Sequence, residues 1–112
     1  MATVSSHILD SVKGHSAAGI RCQLLRLERG QQKEVVFDVI ADHEGRFVET
    51  VDLDDSTRGS EFELVLHAAE YFAAEDPVVA VVVIRFLMHD NDKRYHLPVM
   101  LSPHSYSTWW ST

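Results

Sequence analysis

Cysteine is nearly absent. Cys22 is the only one in 112 residues, so no internal disulfide can form, no thiol pair is available for a metal, and a reducing compartment fits. Basic residues are scarce too, with 10 Lys+Arg against 17 Asp+Glu and a formal charge of −7. That field repels the phosphates of nucleic acid and of anionic lipid, so neither is expected as a partner. The longest apolar run, Val78 to Ile84, ends at Arg85, far short of the roughly 20 residues that cross a bilayer. The opening Met-Ala-Thr-Val-Ser-Ser-His reaches Asp10 without the basic and apolar regions of a secretory signal, and the cytoplasm is the expected location. Also missing are a Gly-rich phosphate loop, a G-x-S-x-G elbow and H-E-x-x-H, which excludes the common nucleotide-site and hydrolase signatures. No cofactor is expected. Asp52-Leu53-Asp54-Asp55 lacks the glycine and terminal glutamate of a calcium loop and reads as a solvated acidic loop.

What is present is an ordinary globular balance, 46% hydrophobic and 24% charged. The length suits a single domain, 1–112, that buries roughly 65% of its unfolded surface. Such a domain is too small to enclose a large pocket alone, yet the chain carries seven histidines.

Alternation with period two recurs and predicts strands with one face in a core. Ile20, Cys22 and Leu24 alternate with Arg21 and Gln23, giving a strand over about 19–28, and Leu24-Leu25 breaks the pattern as a bulge would. A β-branched run over 35–40 follows a turn at Gly30-Gln31-Gln32. His43-Glu44-Gly45 reads as a turn before a strand at 46–51. Phe62, Leu64 and Leu66 mark another. His67 to Glu75, with four alanines and no β-branched residue, predicts a short helix that stops before Pro77. Val78 to Met88 is apolar on both alternating faces, which implies cover on both sides or a subunit interface. Lys93 to Leu101 reads as its hairpin partner, and Pro98 implies an interrupted ladder or an edge. Seven or eight such strands predict an all-β sandwich.

Candidate chemistry is thin on spacing alone. His89, His96 and His104 do not have the compact spacing of zinc ligands, so no metal is expected. Cys22 sits on an apolar face, where a free thiol is usually inert. Arg46 and Arg58 flank polar loops and could hold carboxylates, although isolated surface arginines contribute little.

Three segments together carry a resemblance. Ser6-His7-Ile8-Leu9-Asp10, with Gly14 and Ala17-Ala18-Gly19, resembles S-T-H-V-L-D…G-x-P-A-x-G. Glu44-Gly45-Arg46 resembles a D-G-R turn. Arg94-Tyr95-His96-Leu97-Pro98-Val99-Met100-Leu101-Ser102-Pro103, running on to Tyr106-Ser107-Thr108, resembles H-Y-H-V-P-L-L-L-S-P-x-x-Y-S-T-Y-R-G-S. These are the marks of the transthyretin-like family, with its 5-hydroxyisourate hydrolase branch and its hormone-carrier branch. The resemblance implies a transthyretin-like (prealbumin-like) sandwich of seven to eight strands with one short helix near 67–75. It also implies a homotetramer whose sites lie where two dimers meet around a channel. For the hydrolase branch it implies opening of the ring amide of a small substrate in purine breakdown. His7 and His96 would share the base and orienting roles, in an order left open, and Arg46 would hold the anion.

The tail departs from this pattern. Trp109-Trp110-Ser111-Thr112 stands where the hydrolases read Tyr-Arg-Gly-Ser and where the tail lines the substrate site. His15 and Arg94 differ from the usual residues as well. A diverged enzyme for another cyclic amide or heterocycle, or a non-catalytic small-molecule carrier, are therefore the alternative readings.

Overall fold

A computed structural model describes residues 1–27, 33–55 and 60–110. Of the positions singled out above, the Gly30-Gln31-Gln32 turn, Arg58, Ser111 and Thr112 lie outside the described residues.

Among the described residues, ten strand segments form two sheets that enclose one core. The first sheet is built around β1 (Ala2–Asp10). It pairs antiparallel with β5 (Arg46–Val51) and with the two-residue β2 (His15–Ser16), and parallel with β8 (Arg94–His96) and β9 (Val99–Leu101). β10 (Tyr106–Thr108) adds to β9 as the edge. The second sheet has the order β4 (Lys33–Ile40), β3 (Arg21–Leu27), β6 (Glu61–Leu66), β7 (Val82–Leu87). The fold is a transthyretin-like β-sandwich, as expected. β8 and β9 keep one register along β1, since Ser5 faces His96 and Ile8 faces Val99, and are separated by Leu97 and Pro98, whose ring nitrogen has no proton to give the ladder.

The expected periodicity explains the second sheet directly. Cys22 and Leu24 on β3 and Phe62, Leu64 and Leu66 on β6 are buried, whereas Gln23 and Arg21 look outward and bond Asp38. The register shifts between Leu24 and Leu25, where the alternation breaks in sequence. At the flanks the two sheets are joined by aromatic pairs, Phe37 with Phe47 at 5.5 Å and Phe86 with Tyr95 at 6.5 Å between ring centroids. The short helix α1 (Ala68–Tyr71) and the 3-10 turn that follows it (Ala73–Glu75) fall within 67–75, with Ala68 and Phe72 buried beneath them.

Two expectations are corrected. The strand begins at Val82, because the N–H groups of Val78 and Val79 both donate to the Pro103 carbonyl, at 2.8 and 3.0 Å, and pin that segment to the other sheet. Nor is 93–101 the hairpin partner of β7: β7 pairs with β6, while β8 and β9 pair with β1. The connection at 88–93 crosses the sandwich. Its geometry is held by the Tyr95 hydroxyl, which accepts the N–H of His89 and of Asp90, and by Asn91, whose amide brackets the backbone of the buried Leu53.

Gly45 closes the Asp42–Arg46 turn at φ 71°. A Cβ there would run into the Ile8 carbonyl oxygen and press on the Ala17 nitrogen at 3.0 Å and the Ser16 Cβ at 3.1 Å. Gly45→Ala should therefore cost more than about 1 kcal/mol, since both backbone conformation and space forbid the methyl. An unchanged urea midpoint would refute this.

Candidate active site on the outer face of the β1 sheet

Strand β1 presents Ala2, Val4, Ser6, Ile8 and Asp10 to the interior and the half-buried Thr3, His7 and Leu9 to the other face, which Ser5 shares by alternation although it is itself only 1% exposed. Pairing register then decides which side chains meet on that outer face. His7 lies directly opposite Arg46, and Ser5 lies opposite both Val48 on β5 and His96 on β8. Residues paired in this way point to the same side of a sheet. His7, Arg46 and His96, from three adjacent strands and three distant segments of sequence, thus share one surface.

The Ser5 hydroxyl stands at the centre of the hydrogen bonding. Its Oγ lies 2.8 Å from His96 Nδ1 and accepts the Arg94 Nε–H at 3.1 Å. On the interior side, the Ser6 hydroxyl donates to the Leu97 carbonyl at 2.6 Å and the Leu97 N–H donates to the Ser5 carbonyl at 3.0 Å, which fixes β8 against β1. His7 Nε2 is 3.5 Å from Ser16 Oγ, a long contact. Beyond it opens a hollow of about 470 Å³ lined by Leu9, Gly14, His15, Ser16 and Met100.

That hollow is shaped by Asp10, which is 1% exposed at the inner end of β1. Its carboxylate accepts the N–H of Val12 and of Lys13 at 3.0 Å each and the Tyr71 hydroxyl at 3.0 Å. Burial alone would raise its pKa, but these donors, with His15 close by, hold the carboxyl below its ordinary range. The same pairing and burial push Tyr71 up to about 12. On the other side of His7, the Asp42 carboxylate accepts the N–H of Glu44 at 2.9 Å and of Arg46 at 3.0 Å, so the turn delivers Arg46 in a fixed place.

The surroundings of His96 act on the charge of its ring. Burial, then the Arg94 and Arg46 cations and the His7 ring, all disfavour its charged form, and the Ser5 backbone opposes them. The net shift is downward. A histidine held neutral near pH 7 can exchange protons or donate a hydrogen bond without first discharging.

The tail residues separate. Trp110 lies on Tyr95, with ring centroids 5.6 Å apart, and Lys93 Nζ sits 5.3 Å from the indole centroid. Alternation continued past Ser107, which pairs with the outward Met100, carries Trp109 to the outer face, where it is half exposed. His89 and His104 do not join the cluster, and among the described residues no three His, Cys, Asp or Glu side chains gather as metal ligands. Cys22 is buried and its thiol is pushed up to about 12, far from a reactive thiolate. Ser5 and Ser16 were not singled out from sequence. Ser5 had a signal, because it stands two residues before His7 and so shares its face of a strand.

Fold and site together define a transthyretin-like sandwich that bears a His–Arg–His cluster on the open face of one sheet. Comparison with known proteins agrees: the HIUase/Transthyretin family model matches residues 4–110. The chain belongs to that family. It is 35% identical to a 5-hydroxyisourate hydrolase of Pseudomonas aeruginosa over 97% of this chain and 90% of that protein. It is 34% identical to the 5-hydroxyisourate hydrolase of Deinococcus radiodurans over 95% and 92%. The Klebsiella pneumoniae 5-hydroxyisourate hydrolase structure superposes with a TM-score of 0.81 at 25% identity, with full coverage of both chains. Sea bream transthyretin in complex with thyroxine gives 0.84 at 20% identity over 97% and 94%, a likeness of fold.

The expected outcome of a proton NMR titration is a His96 midpoint below 6.5, the ordinary histidine value. A midpoint at or above that value would contradict the crowding of His96 by Arg94, Arg46 and His7.

Proposed function

We propose that this chain is a hydrolase that opens the ring amide of 5-hydroxyisourate in purine breakdown. The observation that carries this reading is the register that sets His7 opposite Arg46 and brings His96 to the same face. Relatives that cover nearly the whole chain and are named for that activity support it. A neutral histidine takes a proton from water as it adds to the ring carbonyl. The Arg46 guanidinium receives the oxygen on which negative charge grows, or holds the anionic substrate. Four copies assemble so that the outer faces of two dimers close the sites between them, and no cofactor is required. The half-exposed strip that holds the cluster, with Val48, Met100 and Trp109 beside it, suits such cover.

One observation favours a second reading, a related enzyme for a different cyclic amide. Where the hydrolase motif has arginine, Trp110 brings no cation and is engaged with Tyr95 and Lys93.

Generating 5-hydroxyisourate from urate with an oxidase and following its decay tests both. The protein should accelerate decay, and His7→Ala and His96→Ala should each lower kcat/KM by roughly 10²- to 10⁴-fold, the usual worth of a positioned acid or base. Dilution into monomers should remove activity. Decay at the spontaneous rate overturns the first reading, and turnover of another cyclic amide then selects the second.

A further inference from the structure

Arg94, Ser5 and His96 form a chain of two side-chain hydrogen bonds. An arginine Nε carries one hydrogen and no acceptor, so in its 3.1 Å contact with Ser5 the serine oxygen must accept. A hydroxyl that has accepted from a guanidinium is polarised by it, which makes its own proton a better donor and its oxygen a poorer second acceptor. The partner at 2.8 Å is His96 Nδ1. Receiving that proton requires a lone pair on Nδ1, and a neutral imidazole with its lone pair there carries its hydrogen on Nε2.

We infer that Arg94, acting through Ser5, fixes the ring tautomer of His96 and so divides the work of the two histidines: His96 presents Nε2–H as a donor, and His7 is the base. Arg94 is a positioning residue in this scheme, since it acts through another side chain. The inference deepens the hydrolase reading and rests on it for the reaction, though not for the tautomer.

The titratable groups facing the ring act in one sense, against the Ser5 backbone, which favours the charged form. Arg94 lies on its own strand, His7 on β1 and Arg46 on β5, and all three disfavour a charged His96. Among the described residues, His7 Nε2 has one long contact, 3.5 Å to Ser16 Oγ, which an incoming water can displace.

Water gives one proton to His7 as its oxygen bonds to the ring carbonyl carbon. The carbonyl electron pair moves onto oxygen, received by His96 Nε2–H and Arg46. When the carbonyl re-forms, the C–N bond breaks, and its electron pair leaves on the ring nitrogen, which takes the proton held by His7. The second proton of water stays on the new carboxyl group and is lost to solvent.

Long-range 1H–15N spectra of the histidine rings read the tautomer directly, with Ser5→Ala and Arg94→Leu as variants. Arg94 is exposed, so its loss spares the core, and a thermal melt checks that both variants fold. In the wild-type protein His96 should be protonated on Nε2 with a bare Nδ1, and both variants should shift the ring toward a mixture. Loss of the Arg94 cation should also raise the pKa of His96. The acid limb of kcat/KM, where His96 becomes protonated and Nδ1 can no longer accept, should therefore move to higher pH, with kcat down about tenfold or more and KM little changed. A merely structural role would lower the rate without moving that limb.

Wild-type His96 protonated on Nδ1, or a tautomer that neither variant alters, overturns the inference even if 5-hydroxyisourate is hydrolysed. The expected spectra from a protein that leaves 5-hydroxyisourate untouched uphold the Arg94–Ser5–His96 device and overturn only the substrate assignment.

Discussion

The site depends on one backbone approach. At Gly45 strand β1, the 42–46 turn and the segment after β2 converge with no side chain between them: the Ile8 N–H donates to the Gly45 carbonyl at 2.8 Å, and the Ala17 N–H donates to the Ile8 carbonyl at 2.9 Å. The positive φ of Gly45 lets the 42–46 turn lie flat against β1 at this point. The His7 end of the outer face takes its arrangement from that contact. Arg46 follows directly and lands opposite His7. Ser16 precedes Ala17 and comes within reach of the same ring. Because pairing is periodic in two, a slip of one residue would turn His7 into the core and Ile8 into solvent.

The strand that bears the site is also the one hardest to recognise from composition. β3 and β6 announce themselves, since their inward residues are apolar. On β1 the inward set is Ala2, Val4, Ser6, Ile8 and Asp10, and two of the five are polar. Each is satisfied, Ser6 by the Leu97 carbonyl and Asp10 by two backbone N–H groups and Tyr71. A buried group left unsatisfied costs about 1–3 kcal/mol, so these bonds are what make β1 tolerable in a core. They are long-range except for the turn after Asp10, and alternation cannot reveal them. The false hairpin has the same origin. Two apolar runs joined by an Asp-Asn-Asp turn look like neighbours, yet Asn91 bonds Leu53 across the sandwich and β8 finds its partner 91 positions away in sequence.

Of the site, residue types were legible and relationships were not. His7, Arg46 and His96 stood out because three motifs matched a family pattern, and the structure describes all three on one face. Nothing in that match pointed to Ser5 as the group between Arg94 and His96. Arg94 was visible only as a departure from the usual residue. Its consequence depends on a 3.1 Å contact that parallel pairing of β8 with β1 creates. The two tryptophans are a similar case. Adjacent in sequence, they part at the edge of the sheet, one following the outward alternation of β10 and the other folding onto Tyr95.

Charge and cover act on this face in the same direction. Arg46, Arg94 and the His7 ring surround His96 on a strip whose other members include the exposed Val48 and Met100. Apolar neighbours of that kind are poor ligands for water and good surfaces for burial. Covering the strip removes solvent that screens the arginines, so each electrostatic effect on His96 and on a bound anion grows as the local dielectric falls. It also deepens the desolvation that already disfavours a charged ring. Assembly would thus do more than close the pocket. It would tune the same histidine that Arg94 and Ser5 orient, so that an open, uncovered face presents the right residues in a weaker field than the chemistry needs.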